Sequence, residues 1–180
     1  WPRLGNDLPA APVKDLKIHA RENDLVAGTY GRGAFIADAW PLQHFNEMIL
    51  KEPFYLFPVE NKPQRNYSER AFWGNYEQTG DNHLRSPNEP NGLAIYYFLK
   101  EKPLDSAWVQ ICDDDKQPLD TLHIAQETGF HLEHWDTSES MPGSYFVRFI
   151  SGSEILEQET TVKPSPIWPV GHGPWYKNME

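Results

Sequence analysis

Arg32 stands between two glycines in the run Gly28-Thr29-Tyr30-Gly31-Arg32-Gly33. Gly31 and Gly33 lack Cβ atoms and permit backbone angles denied to other residues, so the guanidinium is expected on a tight turn. There it can clamp an anion or carboxylate, or act structurally as an ion pair or carbonyl cap between strands. Arg70, Trp73 and Tyr76, with Arg65, Asn75 and Asp81 around them, form a second group. Their rings can stack on a sugar and their polar ends can hydrogen-bond it; the same residues also suit packing of a loop onto its neighbours.

Asp113, Asp114, Asp115 and Asp120 lie close in sequence. A hard cation such as calcium takes carboxylate and backbone oxygens, so Asp113, Asp115 and Asp120 are its candidate ligands. The spacing lacks the alternation and terminal Glu of an EF-hand, and the alternatives are a solvated hairpin turn or a contact for a basic partner. His131, Glu133 and His134 invite a zinc reading, with His123 joining from a neighbouring strand. On a strand, however, His131 and Glu133 face one way and His134 the other, so one ion cannot reach all three without a bulge. Hydrolysis of a glycoside needs two carboxylates held across a cleft, and no spacing here fixes such a pair. A Gly-x-Ser-x-Gly nucleophile turn is absent. The single cysteine, Cys112, lies in the apolar run Trp108-Val109-Gln110-Ile111-Cys112 and reads as a small buried hydrophobe. No catalytic residue and no cofactor are assigned, and calcium is the one ion kept as a candidate.

The elements that must carry these residues are β-strands. Sixteen prolines and twelve glycines punctuate apolar runs of strand length, and 13% of the chain is aromatic, which favours an all-β class over long helices. Residues 13–18, 25–29 and 34–37 form a meander. Leu42, Phe45 and Ile49 fall at helical spacing, predicting a short helix over 41–51 that Pro53 stops. Residues 54–58 read as a short edge strand leaving that meander. Residues 59–83 form an ordered connecting loop, pinned by its aromatics. Six strand candidates follow, at 93–99, 107–112, 119–125, 130–135, 144–150 and 154–162, with turn-rich breaks between them. Strands at that spacing over residues 84–164 fit a small immunoglobulin-like or fibronectin-like sandwich. Residues 93–99 are apolar on both faces and need cover on each side. The Pro- and Trp-rich tail, 165–180, is expected to dock back across a sheet or the meander segment, the alternatives being a short peptide ligand or a disordered tail.

Net charge is −10, and residues 84–164 hold six basic against fourteen acidic side chains, or −8 of it. Such a surface repels phosphate backbones and anionic headgroups, so nucleic acid is excluded as a partner. No run is long enough to insert in a membrane. The chain opens at Trp1 without an initiator Met, and the native product is expected to be longer.

The stretch from Leu8-Pro9 and Val13-x-Asp15-Leu16 through His19-x-Arg21-x-Asn23-Asp24-Leu25-Val26, Gly28-Thr29-x-Gly31-Arg32-Gly33, Asp38 and Pro41-Leu42 resembles the last blade of bacterial sortilin-like and Asp-box (BNR) repeat propellers, often labelled glycosyl-hydrolase-like. That family usually has a histidine where this chain has Tyr30, and the Asp-box hairpin itself is absent. The order Gly129, Trp135-Asp136, Pro142-Gly143-x-Tyr145 resembles bacterial immunoglobulin-like modules. Asn88-x-Pro90-x-Gly92-x-Ala94-Ile95-x-Tyr97 resembles the start of the sandwich that follows the propeller in the same family. Gly31, Gly33, Trp135 and Asp136 are therefore structural candidates, while Arg32, Arg70, Trp73 and Tyr76 are the ligand candidates.

The resemblance implies a partial blade (residues 1–58) plus a sandwich, in the C-terminal part of a larger secreted or periplasmic protein. Expected partners are the upstream blades of the same polypeptide, and a protein or carbohydrate. A lone blade cannot bury its own faces, so self-association of the piece is a further expectation. The implied role is noncatalytic, in interdomain packing and recognition; the alternative is an accessory part of a glycosyl-hydrolase-like enzyme whose catalytic residues lie upstream.

Overall fold

A computed structural model describes residues 11–20, 23–64, 91–103 and 106–164. The class is all-β, built from antiparallel sheets, and the chain divides into two compact units, Trp1–Glu47 and Met48–Glu180.

The first unit is a three-stranded antiparallel meander of β1 (Val13–His19), β2 (Asp24–Thr29) and β3 (Ala34–Asp38), in that order. Asn23, at φ 57°, closes the first hairpin by donating its backbone N–H to His19 at 2.8 Å. Residues directly opposite in a sheet point to the same side, so the register assigns the faces. Leu16 opposes Ala27, which opposes Phe35; Ile18 opposes Leu25, which opposes Ala37. One face therefore carries Leu16, Ile18, Leu25, Ala27, Phe35 and Ala37 across all three strands, with Thr29 at its end, while the other mixes Asp15, Lys17, Asp24 and Asp38 with Val26 and Ile36. Along the β1 edge that apolar face is open, with Leu16 and Ile18 each 57% exposed.

Beyond β3, the Asp38 carboxylate accepts the Trp40 N–H at 2.8 Å and starts a helix, α1 (Trp40–His44), with Pro41 in its first turn. The helix expected over 41–51 is broken: Phe45 is extended (φ −73°, ψ 124°), and a separate 3-10 turn spans Ile49–Lys51. Only Ile49 of the expected stripe is buried; Leu42 and Phe45 are exposed. The helical spacing is present, but the extended Phe45 and the turn at Glu47 and Met48 split it.

In the second unit, β4 (Phe54–Leu56), β6 (Leu93–Leu99) and β9 (Gly129–Trp135) form one sheet, in the order β4-β6-β9. The other sheet contains β5 (Lys62–Pro63), β7 (Ala107–Cys112), β8 (Pro118–His123), β10 (Gly143–Ser151) and β11 (Glu154–Lys163), in the order β5-β11-β10-β7-β8. Every pairing is antiparallel except that of β5 with β11. Alternate residues of both sheets meet in one core, including Leu93, Ile95, Tyr97 and Leu99 from β6, Val109 and Ile111 from β7, and Val147 and Phe149 from β10. Each such side chain contributes about 1.5–3 kcal/mol on burial, so the core dominates the stability of this unit.

The chain around Phe54 does not leave the meander as an edge strand. Phe54–Leu56 pairs with Leu99–Tyr97, Leu56 enters the core, and Phe54 stacks on Phe149 at 5.1 Å. The outer face of β6, apolar as the sequence indicated, lies against Ile49 and Phe57, with Tyr55 alongside. The first segment therefore ends near residue 47 instead of 58, because the apolar outer face of β6 recruits the chain that follows. Val59 and Gln64, expected in the connecting loop, are buried, and Lys62–Pro63 runs beside β11.

Candidate functional site

A cleft of about 640 Å³ opens at one end of the second unit, between the β7–β8 turn and the β9–β10 loop. The turn is set by Asp113, whose Oδ1 accepts the Gln117 N–H at 2.7 Å, and by Lys116 at φ 61°. The loop is set by three contacts. Asp136 Oδ1 accepts the Ser138 N–H at 2.8 Å, closing a turn. The Tyr145 hydroxyl donates to the Met141 carbonyl. Gln64, 4% exposed, reaches across from the β5 side, and its amide nitrogen donates to the carbonyls of Thr137 at 2.8 Å and Ser140 at 2.5 Å.

The floor of the cleft is Trp135 against Tyr145, and its rim holds the exposed side chains Leu119 and Met141. Asp113, Asp114, Asp120 and Asp136 line it as acceptors only. Their field is felt locally: burial, and then the charges of Asp114 and Asp113, push the Tyr145 hydroxyl above its ordinary pKa. The arrangement suits an apolar or aromatic group that donates hydrogen bonds. Among the described residues no three His, Cys, Asp or Glu side chains are placed to hold a metal ion. Asp113 and Asp120 are instead engaged locally, Asp120 accepting the Thr121 N–H at 2.7 Å, and Asp115 is exposed.

Arg32 is exposed on the β2–β3 turn, which is closed by the Thr29 hydroxyl and N–H on the Gly33 carbonyl, at 2.6 and 3.0 Å. Gly31 and Gly33, at φ 76° and 81°, occupy the left-handed region the turn requires. Among the described residues Arg32 has no carboxylate or carbonyl partner. Arg70, Trp73 and Tyr76 lie outside the described residues. His131 stacks on Tyr97 at 5.0 Å and its Nε2 lies 2.8 Å from the Glu127 carbonyl, so the ring is engaged in packing. Burial and then the charge of Glu133 push the Tyr97 hydroxyl up to about 12.

On the outer face of the larger sheet, Glu157 accepts from Lys116 at 2.6 Å and from Arg148 at 2.7 Å, while the Lys116 ammonium lies 4.4 Å from the centre of the Phe146 ring. Cys112 is fully buried, and burial raises its thiol pKa, which keeps it an unreactive thiol. Gln64 is the residue that sequence reasoning missed. It lies in a polar stretch, and only its distant partners reveal its role. In comparisons with known proteins, no family model, curated protein or solved structure matches the chain. Among the described residues no helix is long and apolar enough to cross a membrane.

Proposed function

We propose that this chain is a noncatalytic C-terminal portion of a larger extracytoplasmic propeller protein, a last-blade meander followed by an immunoglobulin-like sandwich, serving interdomain packing and recognition of a protein or glycan. The observation that carries this reading is the apolar face running across β1, β2 and β3, with Leu16 and Ile18 more than half exposed at its edge. A sheet with one apolar face is half of a layered structure, and radial stacking of blades is one way to complete it.

Strand order supports the second half of the reading. Taken as strands A, B and E, β4, β6 and β9 form one sheet; taken as C′, C, F and G, β8, β7, β10 and β11 form the other, with β5 parallel beside the last. The Tyr145 hydroxyl bonds a carbonyl four residues upstream at the start of β10, where such sandwiches carry a tyrosine corner. Arg32, exposed and unclamped among the described residues, favours recognition over a catalytic cleft at that turn.

The test is the sequence of the polypeptide preceding Trp1 in the native gene. The reading expects further blade repeats there, with Asp-box hairpins; an unrelated domain in that position overturns it.

A further inference from the structure

We propose that Asp15 and Asp120 guard two exposed sheet edges, each keeping a strand of another chain from adding to the strand that carries it. β1 is one edge of the meander, and β8 is one edge of the larger sheet in the second unit. An edge strand turns half of its backbone N–H and C=O groups away from its sheet, where they form a template for further pairing. Both strands interrupt that template in the same way. The register of β1 passes from Val13 opposite Thr29 to Asp15 opposite Gly28, so Lys14 is an extra residue. In β8 it passes from Pro118 opposite Cys112 to Asp120 opposite Ile111, so Leu119 is the extra residue. Each bulge is followed at once by an aspartate whose Oδ1 accepts the N–H of the next residue, Leu16 at 3.0 Å and Thr121 at 2.7 Å.

The capped N–H groups are the ones that face the open edge. On β2, Thr29 bonds toward β3 at Gly33, so alternation turns Ala27 the same way and leaves Leu16, opposite it, outside the ladder. Asp113, just past β7, bonds toward β8 at Gln117, so Ile111 does too, while Gln110, opposite Thr121, turns to β10. Both aspartates and both capped residues are exposed, so burial does not account for the caps. A bonded N–H has no hydrogen left for an incoming carbonyl, and the bulge breaks the flat spacing an added strand needs. The opposite edge of the larger sheet, β5, is protected by other means: it is two residues long and ends in Pro63. The device concerns strand edges and is independent of what covers the apolar face of the meander.

The test compares two substitutions at each edge of the full chain. Asp15→Ala and Asp120→Ala remove the acceptor and the charge, whereas Asp15→Asn and Asp120→Asn keep an Oδ1 acceptor and remove the charge alone. Each protein is incubated with agitation, and the thioflavin-binding fraction that does not redissolve on dilution is measured. Both alanine variants are expected to form at least about three times as much of it as the parent, and both asparagine variants to stay near the parent. Tyr145→Phe, which leaves both edges intact, controls for partial unfolding and is expected to match the parent. Parent-like assembly in either alanine variant overturns the proposal. A rise in the asparagine variants equal to that in the alanine variants also overturns it, since the cap is then irrelevant. An equal rise in Tyr145→Phe does the same, by tying assembly to lost stability instead of to the edges.

Discussion

The indole of Trp135 meets the ring of Tyr145 edge to face, with 5.1 Å between centroids and 62° between planes. This pair joins the last residue of β9 to the third residue of β10 and so fixes the loop between the two sheets from its inner side. The Tyr145 hydroxyl completes the fixation by bonding the Met141 carbonyl. Tyr145→Phe keeps the ring contact and removes the bond. The expected loss is about 1 kcal/mol in urea denaturation, with faster hydrogen exchange confined to the β9–β10 loop.

Gln64 holds that loop from outside. Gln64→Ala frees the Thr137 and Ser140 carbonyls from their shared donor and is expected to cost about 2 kcal/mol. Gln64→Glu replaces the donor by a carboxylate facing carbonyl oxygens and is expected to cost more than the alanine at neutral pH. Equilibrium unfolding of both variants checks the order.

Gly92, at φ 113°, precedes β6 where Leu93 pairs with Trp135. A Cβ built there falls 1.9 Å from the Trp135 carbonyl oxygen, a backbone atom that cannot swing aside. Gly92→Ala is expected to destabilise the second unit by at least about 3 kcal/mol, combining backbone strain with the clash. A wild-type urea midpoint for this variant contradicts the packing described.

Bonds from Lys116 and Arg148 hold the Glu157 carboxyl below its ordinary value of 4.5. Because the folded value is lower than the unfolded one, the contribution is complete above pH 4.5 and is lost as pH falls through the folded value. Melting temperature in acid should therefore fall less steeply for Glu157→Gln than for the parent. At neutral pH the same variant is expected to cost about 1 kcal/mol, as for a partly exposed charge network, and high salt should shrink the difference.

Much of this architecture was legible because alternation and turn residues are local signals. Residues 93–99 and 107–112 are bounded by turn formers and became β6 and β7 at those limits; the turn-rich break between 144–150 and 154–162 became the β10–β11 hairpin. What escaped was set by distant partners. The strand at Phe54 looks the same whether it closes the meander or pairs with Leu99, and only the apolar outer face of β6 decides. The parallel pair of Lys62 with Val162 joins residues a hundred positions apart. The cleft was half visible: the acidic turn stands out in sequence, but bringing Leu119 and Met141 to it takes strand β8 and the β9–β10 loop, which are distant in the chain.

The central claim is that the meander carries a contact face in need of cover, and sedimentation velocity tests it most directly. Over about a hundredfold range of concentration the chain should show reversible association, since oligomerisation coupled to burial follows mass action. Leu16→Asp combined with Ile18→Asp, both on the apolar face and more than half exposed, should leave a folded monomer throughout. A parent chain that stays monomeric at every concentration, and sediments as the double variant does, contradicts the account.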